Sequence, residues 1–247
     1  MRWQRGPPDP TLSSRPPQGL FLFSRLRAWG FAPRLILDVG ANRGEWASSA
    51  RAEFADATPP PLLLALEGSP AFAQSLRGLG LSFAIALLGA VERTGVPFFD
   101  DASTGNSVLK ERTIFFSLVD ATPSDLHTLD GALAAWEAGE GGSPNPLPRS
   151  AVLLKLDVQG YELEVLKGAT RTLRGVEVVL LETSVLSYNA GAPLLGEALG
   201  ALDCLGFAVL DIAQEHLSNE VLIQVDFLLV RKGGLLWDRA QKEAGLI

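Results

Sequence analysis

The chain has 247 residues, 47% of them apolar and 20% charged, with a formal net charge of −7. That length supports one α/β domain with a full hydrophobic core, and the acidic balance argues against nucleic acid as a partner, because phosphate-binding surfaces are built mainly from Lys and Arg. The lone Cys204 excludes an intramolecular disulfide and no Cys/His grouping has zinc-ligand spacing, so no metal site is expected, a divalent ion shared by Asp157 and Glu182 being a minor alternative that no Asp-rich cluster supports.

Residues 1–17, with Pro7, Pro8, Pro10, Pro16 and Pro17, read as a disordered Pro-rich tail without the apolar stretch of a secretory signal. No segment approaches the roughly 20 apolar residues that span a bilayer, so a soluble, cytoplasmic protein with no membrane partner is expected. Residues 20–29 form an amphipathic helix closed by Gly30, and Leu35–Val39 is a buried strand. A helix over 44–54 places Trp46, Ala47, Ala50 and Phe54 on one face; a strand at 62–66, a helix at 70–76 and a strand near 83–87 follow.

Residues 89–148 break this rhythm. They contain only short β-like pieces, a helix near 129–138 and a Gly/Pro-rich run over 139–148 that reads as a mobile loop. The alternation then resumes: strand Val152–Leu156, helix 162–173, strand 176–181, helix 194–205, and strands near 207–212 and 225–230. Strands separated by helices predict a doubly wound α/β fold with a mostly parallel, seven-stranded sheet. The last two strands lack an intervening helix, which predicts an antiparallel edge. Residues 18–247 form a single domain, with the insertion at about 89–148 capping the ligand end of the sheet.

Three segments carry chemistry. In Asp38-Val-Gly-Ala-Asn-Arg-Gly44, a buried strand ends on an acid and turns through Gly40, Asn42 and Gly44 into a helix. It is not the G-x-G-x-x-G turn of dinucleotide enzymes, and Asp38 would repel a pyrophosphate while attracting a sulfonium or ammonium. Glu67 ends the second strand, where a carboxylate can take both hydroxyls of a ribose. The segment from Leu153 to Ala169 places Lys155 and Asp157 in or at the end of an apolar strand, where each needs a partner, and opens its helix at Gly160.

These three segments, with Ala65-Leu-Glu-Gly-Ser-Pro70, Thr128-Leu-Asp130 and Leu181-Glu-Thr-Ser184, resemble the FkbM-type family of S-adenosylmethionine-dependent methyltransferases over about residues 20–231. The resemblance implies a class I, Rossmann-like methyltransferase fold, S-adenosylmethionine as cofactor and O-methylation of a sugar or small-molecule hydroxyl. It implies a cofactor set of Asp38, Gly40, Asn42, Gly44, Glu67, Ser69 and Asp157. The family often has Glu where this chain has Gln159. The alternative is a catalytically inactive methyltransferase-like binding or scaffold domain.

A hydroxyl acceptor must lose its proton, so a positioned base helps. The candidate catalytic residues are Asp157 and Glu182, at strand ends, and His127, in the insertion. His216 is expected to be structural or exposed in a polar turn. Thr104 to Ser107, Tyr161 and Tyr188 are candidates to line the acceptor pocket.

Overall fold

The computed structural model describes residues 18–102, 105–112, 119–140 and 146–247. The Pro-rich tail, Thr104 and the middle of the 139–148 run lie outside the described residues.

The strands are β1 (Leu35–Val39), β2 (Leu62–Glu67), β3 (Ser82–Ile85), β4 (Leu87–Gly89), β5 (Arg93–Phe99), β6 (Ala121–Thr128), β7 (Val152–Leu156), β8 (Val176–Ser184), β9 (Phe207–Ser218) and β10 (Val221–Arg231). The helices are α1 (Gln18–Ala28), α2 (Glu45–Glu53), α3 (Ala73–Gly78), α4 (Leu129–Ala135), α5 (Glu162–Lys167), α6 (Leu195–Cys204) and α7 (Leu235–Glu243). Seven strands build the main sheet in the order β3-β2-β1-β7-β8-β10-β9. β1, β2, β3, β7 and β8 pair in parallel, and β10 inserts antiparallel to both β8 and β9. The doubly wound fold with an antiparallel edge is therefore observed.

Alternation along β1 explains the layering. Leu35, Leu37 and Val39 enter one core with α4, α5 and α6, through Leu129, Leu133, Val165, Leu166, Ala198 and Leu202. Ile36 enters the opposite core with α1, α2 and α3, through Phe23, Leu26, Ala47, Ala50 and Leu76. Both faces of the sheet are thus covered, as a parallel sheet requires. Among the described residues no helix is long and apolar enough to cross a membrane.

Several boundaries differ from the sequence expectation. The strand foreseen near 83–87 is two strands: β3 joins the main sheet, and β4 joins a second sheet of order β4-β6-β5 built from the insertion. The helix foreseen over 162–173 ends at Lys167, with a 3-10 turn at Thr172–Gly175. Gly168 sits against the insertion, where a Cβ would stand 2.1 Å from the Gly89 carbonyl oxygen, and a packed helix turn with side chains has no room there. β9 and β10 extend through the loop foreseen between them to a tight turn after Ser218, and α7 closes the chain.

Candidate functional site

The site forms where the parallel strands end. The chain leaves β1 through Gly40 (φ 79°), Asn42 (φ 49°) and Gly44 (φ 85°) into α2. Gly40 donates its N–H to the Leu66 carbonyl at 2.9 Å, and Asp157 donates its own to the Val39 carbonyl at 3.1 Å. A Cβ on Gly40 would stand 1.7 Å from the Asp157 carbonyl oxygen, so only glycine allows β1 and β7 to close at this point. Gly44 is less tightly placed, since a Cβ there would meet the side-chain ends of Leu81 and Leu76 at 2.7 and 2.9 Å, and it does not line the cavity.

Beyond these turns lies a cavity of about 730 Å³, within the usual range for small-molecule sites. One end is apolar, with Gly68, Ala86, Leu87, Leu88 and Phe98; the other carries Asp157, Gln159, Glu182, Tyr188, His216 and Gln224. Glu67, Glu111, Asp157 and Glu182 line it, and neither lysine nor arginine does among the described residues.

Glu67 is buried, and its two oxygens accept the N–H groups of Asn42 and Ser69, each at 2.7 Å. Burial pushes its carboxyl up from the usual range, while these two N–H donors pull it back. Each carboxylate oxygen keeps acceptor capacity beyond one donor.

Asp38 is fully buried behind the cavity wall and is ion-paired to Lys155 on the neighbouring strand at 3.1 Å. Asp38, read from sequence as attracting a cationic ligand, does not line the cavity, and its charge faces Lys155. Lys155 Nζ also meets Asp157 Oδ2 at 3.1 Å, donates to the Gly40 carbonyl at 3.2 Å and stands 5.7 Å above the Trp46 ring. Burial works against its charge, but Asp157 and Asp38 overcome that and hold it protonated. Lys155 therefore ties the β1 turn to the end of β7.

Gln159 adopts a left-handed backbone (φ 55°) and sits between the two candidate acids. Its Nε2 donates to Asp157 Oδ1 at 3.1 Å and to Glu182 Oε1 at 2.7 Å, and its Oε1 accepts from the Tyr188 hydroxyl at 2.9 Å. Its own carbonyl accepts from Asn189 Nδ2 and Ser107 Oγ, which explains why the strained conformation persists. An amide joins two carboxylates that would otherwise repel; a glutamate here would add a third charge. Glu182 also accepts from Gln224 Nε2. Burial, reinforced by Asp157, Asp226 and Glu162, raises its carboxyl well above the ordinary range.

Of the residues read from sequence, Gly40, Asn42, Glu67, Asp157, Glu182, Gly105, Asn106, Ser107, Tyr161 and Tyr188 line the cavity. Ser69 does not: it is fully buried, its hydroxyl caps the 3-10 turn at Pro70–Phe72 and donates to Asp100 Oδ2 at 2.6 Å. His127 does not either. Its strand belongs to the second sheet, and its ring pairs with Glu92 at 2.9 Å with the side chain 47% exposed. His216, expected outside the site, lines the cavity, and its Nε2 lies 3.0 Å from Asp226 Oδ1. That hydrogen bond raises the His216 pKa against the opposing effect of burial. Gln224 and Ile223 also reach the cavity. They are neighbours on β10 beside a register shift between Leu222 and Gln224, and no local sequence pattern announced them.

A family model described as the methyltransferase FkbM domain matches residues 38–209. No curated protein matches. Among solved structures, the chain is similar to the magnesium protoporphyrin IX methyltransferase ChlM of Synechocystis PCC 6803 with bound SAM, at 12% identity and a TM-score of 0.41, covering 86% of this chain and 79% of that one. It is similar to an S-adenosylmethionine-dependent methyltransferase of Clostridium acetobutylicum, at 9% identity and a TM-score of 0.45, covering 86% and 90%. It is also similar to the O-methyltransferase TomG of Streptomyces achromogenes in complex with SAM, at 14% identity and a TM-score of 0.43, covering 91% and 83%.

Proposed function

The chain belongs to the FkbM family of methyltransferases, and on that premise we propose that it O-methylates a hydroxyl of a sugar or other small-molecule metabolite. Its methyl donor is S-adenosylmethionine, and the residues present fit it. The β1 turn brings bare backbone to the cavity at Gly40, where a side chain has no room. Glu67 is held by two N–H groups with capacity left for ribose hydroxyls. Leu87, Leu88 and Phe98 offer an apolar wall for a flat base, and the carboxylates at the other end suit a sulfonium and an ammonium.

When bound, the cofactor supplies an electrophilic methyl group. The chain's part is to orient the acceptor and receive its proton. The observation that carries the O-methylation reading is the Asp157–Gln159–Glu182 bridge, which fixes two carboxylates side by side on the cavity wall. Gln159 holds one oxygen of each, and burial makes Glu182 more basic than an exposed glutamate. A cavity with four carboxylates and no lysine or arginine among its described residues favours a neutral or cationic small acceptor over a nucleic acid. The single cysteine, Cys204, suits a reducing, cytoplasmic setting.

The test is calorimetric titration with S-adenosylmethionine and S-adenosylhomocysteine, followed by labelled methyl transfer to a panel of sugars and hydroxylated metabolites. Micromolar binding of both ligands and transfer to a hydroxyl, lowered at least tenfold in Glu182→Gln with cofactor affinity kept, is the expected result. Absence of binding at millimolar ligand, or transfer to nitrogen alone, refutes the proposal.

A further inference from the structure

At the far wall of the cavity, three consecutive strands bring together Glu182 on β8, Asp226 on β10 and His216 on β9. One ligand atom from each lies within 4.8 Å of the other two. In the sheet register Asp226 stands directly opposite Glu182, and His216 stands opposite Gln224, two residues before Asp226. Strand alternation puts all of these side chains on one face.

Two ionised acids directly opposite each other on adjacent strands destabilise a sheet, and a cation between them would offset that repulsion. His216 pairs with Asp226, whereas among the described residues no lysine, arginine or histidine nitrogen lies in ion-pair contact with Glu182 and Lys155 acts on it only at longer range. Lys155, the buried cation of this region, contacts Asp38 and Asp157 instead. Glu182 is more than nine-tenths buried. Its Oε1 takes both glutamine amides, while its Oε2 takes no hydrogen bond among the described residues, and the side chain lines the cavity. The 3.0 Å between His216 Nε2 and Asp226 Oδ1 matches the spacing of adjacent ligands around an octahedral ion with bonds of about 2.1 Å.

We infer that Glu182, His216 and Asp226 form a site for a divalent cation of the Mg²⁺ or Mn²⁺ class. Hard carboxylate oxygens with one imidazole suit such ions. The Gln159 and Gln224 amides orient the ligating carboxylate from behind, as the outer shell of a metal site does. Three protein ligands leave further coordination positions, and Glu182 and His216 both line the cavity into which these open. What the cation does there rests on the methyl-transfer reading. It would bind the acceptor hydroxyl oxygen and lower its pKa, and with Glu182 engaged as a ligand, Asp157 rather than Glu182 would take the proton. The oxygen lone pair then forms the new O–C bond as the C–S bond breaks, with its electron pair left on sulfur.

The experiment titrates the full chain, freed of metals by chelator, with MnCl₂, following free Mn²⁺ by electron paramagnetic resonance and heat by calorimetry. His216→Ala, Asp226→Asn and Glu92→Gln are compared, the last removing the exposed carboxylate beside His127. Each sample is also titrated with S-adenosylmethionine, which reports an intact cavity. The expected result is one Mn²⁺ per chain, displaced by Mg²⁺, bound at least tenfold more weakly by His216→Ala and Asp226→Asn and unchanged in Glu92→Gln. No stoichiometric binding up to millimolar Mn²⁺, or equal binding by the His216 and Asp226 variants, overturns the site. Mn²⁺ binding that follows the variants in a chain that never binds S-adenosylmethionine overturns the functional reading and leaves the cation site standing.

Discussion

Lys155→Met removes the ammonium from between Asp38 and Asp157 and keeps most of the side chain's bulk. Lys155 is 8% exposed and Asp38 0%, so the change leaves a buried carboxylate without its ion-pair partner. Breaking a buried pair from one side costs about 3–5 kcal/mol. For a chain of this size each kcal/mol moves the melting temperature by about 2–4 °C, which gives a fall of about 6–20 °C. Asp157 is better placed to survive the loss, because its side chain is 31% exposed and it keeps the Gln159 amide.

The destabilisation therefore belongs mostly to Asp38, and Lys155→Met/Asp38→Asn should recover at least half of it. The loss should also shrink at low pH. Burial already pushes the Asp38 carboxyl up and Lys155 pulls it down; without Lys155 its folded pKa rises further. The stability of the single variant is then highest where Asp38 is protonated and falls as pH rises through that value. Urea unfolding of wild type, both single variants and the double variant at several pH values measures all of this. If Lys155→Met unfolds at the wild-type urea midpoint, or Asp38→Asn fails to rescue it, the buried pair is not what joins β1 to β7.

Three further outcomes follow from the same geometry. Gly40→Ala adds about 1–2 kcal/mol of left-handed backbone strain to an overlap with the Asp157 carbonyl, so calorimetry should find S-adenosylmethionine bound at least tenfold more weakly; an affinity within twofold of wild type would refute the cradle. Glu162 accepts the Val158 and Gly160 N–H groups on one oxygen, and burial lifts its carboxyl from 4.5 to about 7. Its contribution to stability is fully present below pH 4.5 and is lost as pH rises through about 7, a fall of order 3 kcal/mol. Glu162→Gln, which keeps the accepting oxygen, should flatten that fall in a series of urea titrations. Asp130 accepts the Arg171 and Thr172 N–H groups at 2.7 and 2.9 Å and the Thr172 hydroxyl at 2.7 Å. Asp130→Ala should cost about 2 kcal/mol of stability in urea while leaving S-adenosylmethionine affinity unchanged.

The parts of this protein that sequence determined by itself are those with local causes. The unbroken apolar run Leu35–Val39, the glycines that follow it and the acids closing β1, β2, β7 and β8 fix the strands, the turn and the edge of the sheet that carries the site. The final strands without a helix between them were enough to foresee the antiparallel edge. Tertiary structure decided everything that depends on which strands are neighbours. Asp38 and Lys155, far apart in the chain, become a pair because β1 lies beside β7 in register. Ser69 and Gly44 share the motifs of the cofactor turn, yet packing turns both away from the cavity. His127 falls on a second sheet that no local pattern announced. His216 and Gln224 arrive at the cavity only because β9 and β10 run on as a long hairpin beside β8. Antiparallel register is set by pairing and packing across the sheet, and that information is spread over the whole chain rather than held in any one segment.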